Sequence, residues 1–479
     1  MLFNSPVFLL YFLPFTFIGY YILNKRLRLY FLILASLFFY AWDEPKYIFA
    51  LLFSIVINYI FGLIIDKCSD KKRSTQRTLL FCAISFNLGP LLYYKYLNFA
   101  LSNINRFFNT GLTIHDIILP LGISFFTFKG ISYIIDVYKR RVSVQKNPAA
   151  LGFYISFFPQ LLAGPIVRYK DIEKQIHDGS INYKLIGEGV QRFIVGFSKK
   201  ILLANNMAVI ADRAFSISPA ERSVLFAWLG IIAYAFQILF DFSGYSDMAI
   251  GLGKMFGLQT DENFNYPYIS RSFVEFWRRW HISLSTWFRD YVFSPLSGIL
   301  VKRKYKKHSI YILSSLAVWF LTGLWHGASW NFIIWGLLHF LLIVLEMLFN
   351  IPKRFKKRTA GDMYRFTVLL FILFTFVFFR ANDLSSAFIY LLNMFGISNN
   401  HFADGNFIFY IREYIVMIVF CVLLSAPVFT RFQERALARG KAFSYIFQSV
   451  YAVTLIMLFI ISISHLVINT HNPFIYINF

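Results

Sequence analysis

The feature that most constrains this chain is a succession of apolar runs, each about as long as a bilayer is thick. A helix needs about 20 apolar residues to cross the hydrocarbon core of a membrane. Such runs recur along nearly all 479 residues, and short clusters of lysine and arginine separate them. With 58% apolar and only 15% charged residues, the chain is too apolar for a soluble surface. We therefore predict an all-α polytopic membrane protein.

Hydropathy predicts clear spans at both ends of the chain and weaker ones in the middle. The clear spans are 6–23, 29–42, 47–65, 78–101, 117–137, 309–324, 330–348, 366–379, 407–429 and 445–467. In the middle we predict one span at 224–241 and a separate short one at 247–257. The first run is too long for the core of a signal peptide, so we expect it to remain as a span.

Two apolar segments in the middle carry residues that a simple span would not tolerate. Segment 151–167 is interrupted by Pro159 and by Gly164-Pro165, and segment 187–214 contains Lys199-Lys200 and Asn205-Asn206. Irregular backbone and charge at membrane depth occur only where they are buried in protein or line water. We therefore expect some of these helices to be broken or re-entrant.

The basic clusters predict the orientation in the membrane. Cytoplasmic loops are enriched in lysine and arginine, and alternating the spans around these clusters places both termini outside a bacterial inner membrane. The net charge of +23 is spread over the loops and is not gathered on one module, which argues against nucleic acid as a partner.

The segment 320–339, FLTGLWHGASWNFIIWGLLH, places His326 beside the small residues Gly327, Ala328 and Ser329, deep in apolar sequence. An ionisable group at that depth is costly and marks a functional site by default. Histidine suits general-base chemistry because its pKa lies near neutrality. A hydrogen-bonded core histidine is the alternative. A metal site is disfavoured, because His339 lies 13 residues away and no HExxH occurs, and a serine hydrolase would need a G-x-S-x-G that is absent.

The segment 273–291, FVEFWRRWHISLSTWFRDY, interleaves aromatic and cationic residues. Helical spacing would separate them onto two faces, as in a helix at the cytoplasmic interface. One interpretation is an interfacial anchor. The other is that Arg278 and Arg279 bind the phosphates of an anionic acyl donor.

Six segments in order resemble the membrane-bound O-acyltransferase family, and within it the branch of alginate O-acetylases and peptidoglycan O-acetyltransferases. They are LGISFFTF with YIIDVYK (121–139), FFPQLLAGPIVRY (157–169), DFSGYSDMAIGLGKMFG (241–257), NFNYPYIS (263–270), EFWRRWHISLSTWFRDY (275–291) and LTGLWHGASWNFIIWG (321–336).

The resemblance implies a ring of tilted transmembrane helices with re-entrant helices around a central tunnel. It implies one integral membrane domain over 1–479, with N-terminal spans (1–141), a catalytic core (142–350) and C-terminal spans with an outer tail (351–479). His326 matches the family's catalytic histidine, and His281 matches its second histidine, with either a proton-transfer or a donor-positioning role. His339 also matches a histidine of the alginate branch, and its role stays open.

The last residues, HNPFIYINF, follow the final predicted span on the outer side. An aromatic belt at the interface is one interpretation. The pattern F-x-Y-x-x-F is also similar to the end of the small peptide that accompanies the teichoic-acid D-alanyl transferase, which makes Tyr476 a candidate acyl carrier.

The expected activity is O-acetyl transfer from a cytoplasmic thioester, acetyl-CoA or another acyl donor, to an extracytoplasmic polysaccharide through a partner of the SGNH type. No bound cofactor and no metal are expected. A related alternative is D-alanyl transfer to a cell-wall polymer. A transporter of lipid or acyl donor is the alternative of another class, since Lys199, Asp241 and Asp247 would also suit a translocation path.

Overall fold

A computed structural model of the chain describes residues 1–68, 71–176, 181–351, 358–398, 400–468 and Ile475. Throughout these residues the regular structure is helical, with short π-helical and 3₁₀ turns between or within the α-helices. The all-α prediction is confirmed for the described part of the chain.

The described part of residues 1–176 contains eight α-helices. They are α1 (Leu13–Ile22), α2 (Lys25–Ala41), α3 (Ile48–Lys67), α4 (Arg73–Leu91), α5 (Leu97–Phe108), α6 (Ile123–Tyr138), α7 (Pro148–Ser156) and α8 (Tyr169–Ile176). The middle contains α9 (Tyr183–Ser198), α10 (Asn205–Ser216), α11 (Val224–Met255), α12 (Phe273–Arg279), α13 (Ile282–Phe288) and α14 (Ser294–Lys302). The last part contains α15 (Lys307–His326), α16 (Trp330–Leu348), α17 (Arg358–Arg380), α18 (Leu384–Met394), α19 (Gly405–Leu424), α20 (Val428–Ala438) and α21 (Lys441–Ile468).

Eight helices in the described chain are long and apolar enough to cross a membrane. They cover Pro45–Lys67, Tyr183–Ser216, Val224–Met255, Lys307–His326, Trp330–Leu348, Thr359–Arg380, Gly405–Leu424 and Lys441–Ile468. The helix Phe8–Ile22 is apolar but shorter. The multi-pass membrane class that the hydropathy predicted is therefore confirmed.

One prediction for the middle of the chain was wrong. The two spans predicted at 224–241 and 247–257 belong to one continuous helix, α11, which ends at Met255. The charge of Asp241 is offset by Lys200 and does not break the helix. The segment 187–214 is likewise helical throughout, and its polar residues lie in and beside a π-helical turn, Lys199–Ala204, between α9 and α10. The other irregular segment, 151–167, is broken as expected, since α7 ends at Ser156 and the chain after it stays buried in protein.

The structure divides into two compact units, Met1–Phe193 with Tyr245–Glu262 and Ile194–Gly244 with Asn263–Ile475. In the first unit a buried amide pair joins α3 to α4. Asn58 Nδ2 donates to Asn87 Oδ1 at 2.9 Å, and Asn87 Nδ2 donates back to Asn58 Oδ1 at 3.1 Å. The second unit contains α12 to α18 and all three histidines of the candidate site.

Candidate active site

His326 is the last residue of α15, at the turn into α16. Gly327 follows in an extended conformation, and Ser329 precedes the first residue of α16. A Cβ on Gly327 would lie 2.3 Å from ring atoms of Phe332, so a larger residue here would have to displace that ring. The break of small residues in the sequence therefore fixes His326 at the end of a tight helical hairpin.

The two helices of this hairpin approach each other at glycines. A Cβ on Gly323 would lie 2.5 Å from the Phe332 carbonyl oxygen, and one on Gly336 would lie 2.4 Å from the Trp319 carbonyl oxygen. Such close backbone contact leaves little freedom for the side chains on either side. The hairpin thus holds the imidazole of His326 against α16.

Aromatic rings enclose His326, which is 2% exposed. The ring centroids of Trp325, Trp335 and Phe379 lie 4.6, 4.8 and 5.0 Å from that of the imidazole, all in edge-to-face geometry. An enclosure of this kind excludes bulk water from the imidazole.

His281 occupies the turn between α12 and α13, so the segment 273–291 is not the single helix that its spacing predicted. His281 has φ 43° and ψ 55°, in the left-handed region. A residue other than glycine in this region stores about 1–3 kcal/mol of strain, and such strain is concentrated at functional sites. The break directs His281 inward, where it is 1% exposed.

Asn263 fixes the orientation and tautomer of His281. Asn263 Oδ1 accepts from the Ser283 backbone N–H at 3.1 Å, which identifies this atom as the amide oxygen. His281 Nδ1 lies 3.1 Å from the same oxygen and must therefore be the donor. The Nδ1–H tautomer leaves the lone pair on Nε2. Burial also lowers the pKa of His281 well below its ordinary value, so the ring is neutral at physiological pH.

Both histidines contact the same indole. The Trp325 centroid lies 5.8 Å from that of His281 and 4.6 Å from that of His326. The structure therefore brings together the two histidines that lie 45 residues apart in the sequence. It also brings in Phe242, whose ring lies 4.6 Å from His281.

His339, the third histidine, lies one turn after Trp335 on the same face of α16 and is completely buried. Its Nδ1 accepts a hydrogen bond of 3.3 Å from the indole N–H of Trp277 on α12. His339 thus connects the helix that follows His326 to the helix that precedes His281.

Glu346 holds α12 in place, and sequence reasoning missed it. This buried carboxylate on α16 accepts from the backbone N–H groups of Phe273 and Val274 at 2.8 and 3.0 Å. It also accepts from the Tyr364 hydroxyl at 2.5 Å. A carboxylate at a helix N-terminus is favourable because it pairs with unsatisfied N–H groups. The sequence signal that could have identified Glu346 is an acidic residue within an apolar span.

The two candidate donor-binding arginines differ in their surroundings. Arg278 is exposed. Arg279 forms an ion pair with Glu275 at 2.8 Å and donates to the Asn265 carbonyl oxygen at 3.1 Å, so its guanidinium also stabilises the loop before α12. Both remain hypotheses for donor binding.

Tyr476, the candidate acyl carrier, lies outside the described residues. Its neighbour Ile475 is described, and the Ile475 backbone N–H donates to Asp241 Oδ2 at 2.8 Å. Asp241 also forms a buried ion pair with Lys200 at 2.7 Å.

The fold and the site define a multi-pass, all-helical membrane protein with a buried histidine at the end of one span. A model of the membrane-bound O-acyltransferase family matches residues 144–391. A probable alginate O-acetylase of Azotobacter vinelandii is 39% identical over 85% of this chain and 80% of its own length. The peptidoglycan O-acetyltransferase of Helicobacter pylori is 36% identical over 90% of this chain and 87% of its own. The teichoic acid D-alanyltransferase of Bacillus subtilis is 32% identical over 55% of this chain and 67% of its own length.

The chain belongs to the membrane-bound O-acyltransferase family and is an O-acyltransferase. This confirms the resemblance that the six sequence segments indicated.

Proposed function

We propose that this protein transfers an acetyl group from a cytoplasmic thioester, acetyl-CoA or a related donor, toward an extracytoplasmic polysaccharide. The observation that carries the proposal is the position of His326, buried among aromatic rings at the end of a membrane-spanning helix. The two relatives that match most of this chain are named for alginate and peptidoglycan O-acetylation.

The chemistry follows from the basicity of an imidazole. His326 takes the proton of an acceptor hydroxyl while the hydroxyl oxygen attacks the thioester carbonyl carbon. The tetrahedral intermediate then collapses, and the thiolate leaves with the proton. His281, which is neutral and oriented by Asn263, lies on the donor side of the same aromatic cluster. The cationic side chains of Arg278 and Arg279 bind the phosphates of the donor.

The proposed architecture is a ring of tilted spans with a tunnel between an inner donor entrance and an outer acceptor funnel. The burial of irregular chain after α7 is consistent with it, because such backbone must be enclosed by protein at membrane depth. Membrane lipid surrounds the ring, and both termini lie outside.

Tyr476 is the first acceptor in this proposal. The hydrogen bond between Ile475 and Asp241 supports it, because Phe242, the next residue after Asp241, contacts His281. A phenyl ester is activated relative to an alkyl ester, so onward transfer to the serine of an SGNH-type partner is downhill.

The test uses purified protein in lipid nanodiscs with labelled acetyl-CoA. Wild-type protein is expected to transfer label from acetyl-CoA to an acceptor hydroxyl. His326→Ala should insert and remain monodisperse, but its rate of acetyl transfer should fall by about 10²–10⁴-fold. His308→Ala, an exposed histidine at the other end of α15, is the matched control and should keep full activity. Equal rates for His326→Ala and wild type would refute the assignment.

The relay has its own test. Mass spectrometry of the terminal peptide should find an acetyl ester on Tyr476 after incubation with donor, and Tyr476→Phe should abolish transfer. Tyr445→Phe, which alters an exposed tyrosine at the start of α21, should not. Full activity of Tyr476→Phe would exclude the relay while leaving the role of His326 intact.

D-alanyl transfer is the second candidate, because a teichoic acid D-alanyltransferase matches part of the chain. Labelled D-alanyl carrier protein, offered in parallel with acetyl-CoA, distinguishes the two donors.

The transporter alternative has less support, since two of the polar residues it relied on are in ion pairs. Asp241 pairs with Lys200, and Asp247 pairs with Arg192 at 2.6 Å. It predicts uptake of donor without formation of any covalent product.

A further inference from the structure

The indole of Trp335 buries a hydrogen-bond donor that no described residue satisfies. The side chain is 2% exposed, and its Nε1–H has no acceptor among the residues that the structure describes. A buried N–H group without an acceptor is costly, and such groups are rare in folded proteins. Replacing tryptophan by phenylalanine would remove the cost, so its presence calls for an acceptor other than the described residues.

His339 supplies a second donor of the same kind. Its Nδ1 accepts from the Trp277 indole N–H at 3.3 Å, which places the imidazole proton on Nε2. This Nε2–H is completely buried and also has no acceptor in the described part of the chain. Two unsatisfied donors therefore lie one helical turn apart on one face of α16.

Trp335 lies between the histidine that the proposed function makes the base and His339, and its ring contacts both imidazoles. The Trp335 centroid is 4.8 Å from that of His326 and 4.9 Å from that of His339. The carboxylate of Glu346 is not available as an acceptor for these donors, because it already accepts hydrogen bonds from α12 and Tyr364. An uncharged oxygen that gains negative charge during the reaction would match two neutral donors.

We propose that the indole N–H of Trp335 and the Nε2–H of His339 bind the carbonyl oxygen of the acyl thioester and stabilise its oxyanion. This inference rests on the proposed function and adds two catalytic residues to it. As the acceptor oxygen bonds to the carbonyl carbon and its proton passes to His326, the C=O π electrons move to the oxygen. The two donors stabilise this charge until the C–S bond breaks, and the thiolate takes the proton from His326.

The decisive variant is Trp335→Phe, which keeps an aromatic ring against His326 and removes only the donor and part of the ring. Loss of one oxyanion donor lowers kcat by about 10²–10³-fold. The KM for the thioester should change little, since the charge develops only in the transition state. The unfolding midpoint in detergent should stay the same or rise.

Trp228→Phe is the matched control. The Trp228 indole N–H donates to the Met394 carbonyl oxygen at 2.9 Å, so the same substitution removes a satisfied hydrogen bond away from the cluster. This variant should lower the unfolding midpoint and leave kcat unchanged, the opposite of the Trp335→Phe result.

His339→Gln and His339→Leu provide the second comparison. Glutamine retains an N–H donor and should keep part of kcat, whereas leucine should lose it to about the extent of Trp335→Phe.

A Trp335→Phe protein with wild-type kcat and a lowered unfolding midpoint would overturn the inference, because the N–H would then serve only a bound water. In that case the wild-type rate and the loss in His326→Ala still support the proposed function. Absence of transfer by wild-type protein would instead overturn the proposed function, and the inference with it.

Discussion

Lys200 and Asp241 form a fully buried ion pair between two membrane-spanning helices, with Nζ 2.7 Å from Oδ1 and both side chains 1% exposed. Lys200 Nζ also donates to Asn205 Oδ1 at 2.9 Å. The Ile475 backbone N–H occupies the other carboxylate oxygen of Asp241. Each charge is thus compensated by the other, and Asp241 also holds the backbone of Ile475 in position.

Lys200→Met is expected to destabilise the protein by about 3–5 kcal/mol, because it leaves the Asp241 carboxylate buried without a cation. The double variant Lys200→Met with Asp241→Asn should recover most of this loss, since the amide oxygen is neutral and still accepts from Ile475. Unfolding midpoints in detergent check both. A double variant as unstable as the single one would show that the lysine contributes by packing and not by charge.

Alanine at the glycines of the α15–α16 hairpin is expected to move the two helices apart. A Cβ at Gly323 or Gly336 would lie 2.5 or 2.4 Å from a backbone oxygen of the opposite helix. Overpacking of this kind costs about 1–3 kcal/mol, and transfer activity should fall because His326 and Trp335 lie on the two helices.

Gly298→Ala on α14 is the control, because a Cβ there has nothing within 4 Å. It should stabilise the protein by about 0.5–1 kcal/mol through the better helix propensity of alanine. Equal effects at Gly298 and Gly336 would mean that helix propensity alone governs these positions.

The hydropathy pattern predicted several spans close to their observed positions, whereas the predicted spans 29–42, 78–101 and 117–137 are not among the eight helices of the described chain that are long and apolar enough to cross a membrane. The run 330–348 coincides with α16, and 47–65 lies within α3 and the turn before it. It failed at Asp241, because the compensating Lys200 lies 41 residues earlier and a long-range ion pair leaves no local signal. Two predicted spans were therefore one helix.

The candidate site was predictable in its residue types but not in its connections. The small residues after His326 indicated the turn, and the structure has one there. The left-handed conformation of His281 has no marker, since this region is usually signalled by glycine. The hydrogen bond from Trp277 to His339 spans 62 residues and depends on the packing of α12 against α16.

Glu346→Gln is expected to cost about 1–3 kcal/mol and to lower transfer activity. The amide has only one acceptor atom for the two backbone donors of α12 and the Tyr364 hydroxyl, so at least one buried donor loses its partner. Activity should fall because α12 carries Trp277, which orients His339.

Glu275→Gln is the matched control, since Glu275 is a half-exposed residue of α12 itself that pairs with Arg279 four residues later. Such helix-surface pairs contribute about 0.3–0.5 kcal/mol. Thermal unfolding and acyl transfer measured on both variants should separate them clearly, and a Glu346→Gln protein as stable and active as Glu275→Gln would contradict the capping role.

The neutral, buried His281 is expected to make the protein less stable in acid. Its pKa is lowered by burial in the folded state and is about 6.5 when unfolded. Below pH 6.5 the unfolded chain therefore binds a proton that the folded chain does not. The stability that the neutral imidazole contributes is fully present above pH 6.5 and falls with decreasing pH, by up to about 1.4 kcal/mol per pH unit.

His281→Asn removes this pH dependence, and asparagine tolerates the left-handed backbone. The unfolding midpoint should thus drop less between pH 7.5 and pH 5.0 in His281→Asn than in wild type. His115→Asn alters an exposed histidine and should show the same drop as wild type. Parallel losses in wild type and His281→Asn would mean that His281 takes up a proton in the folded state.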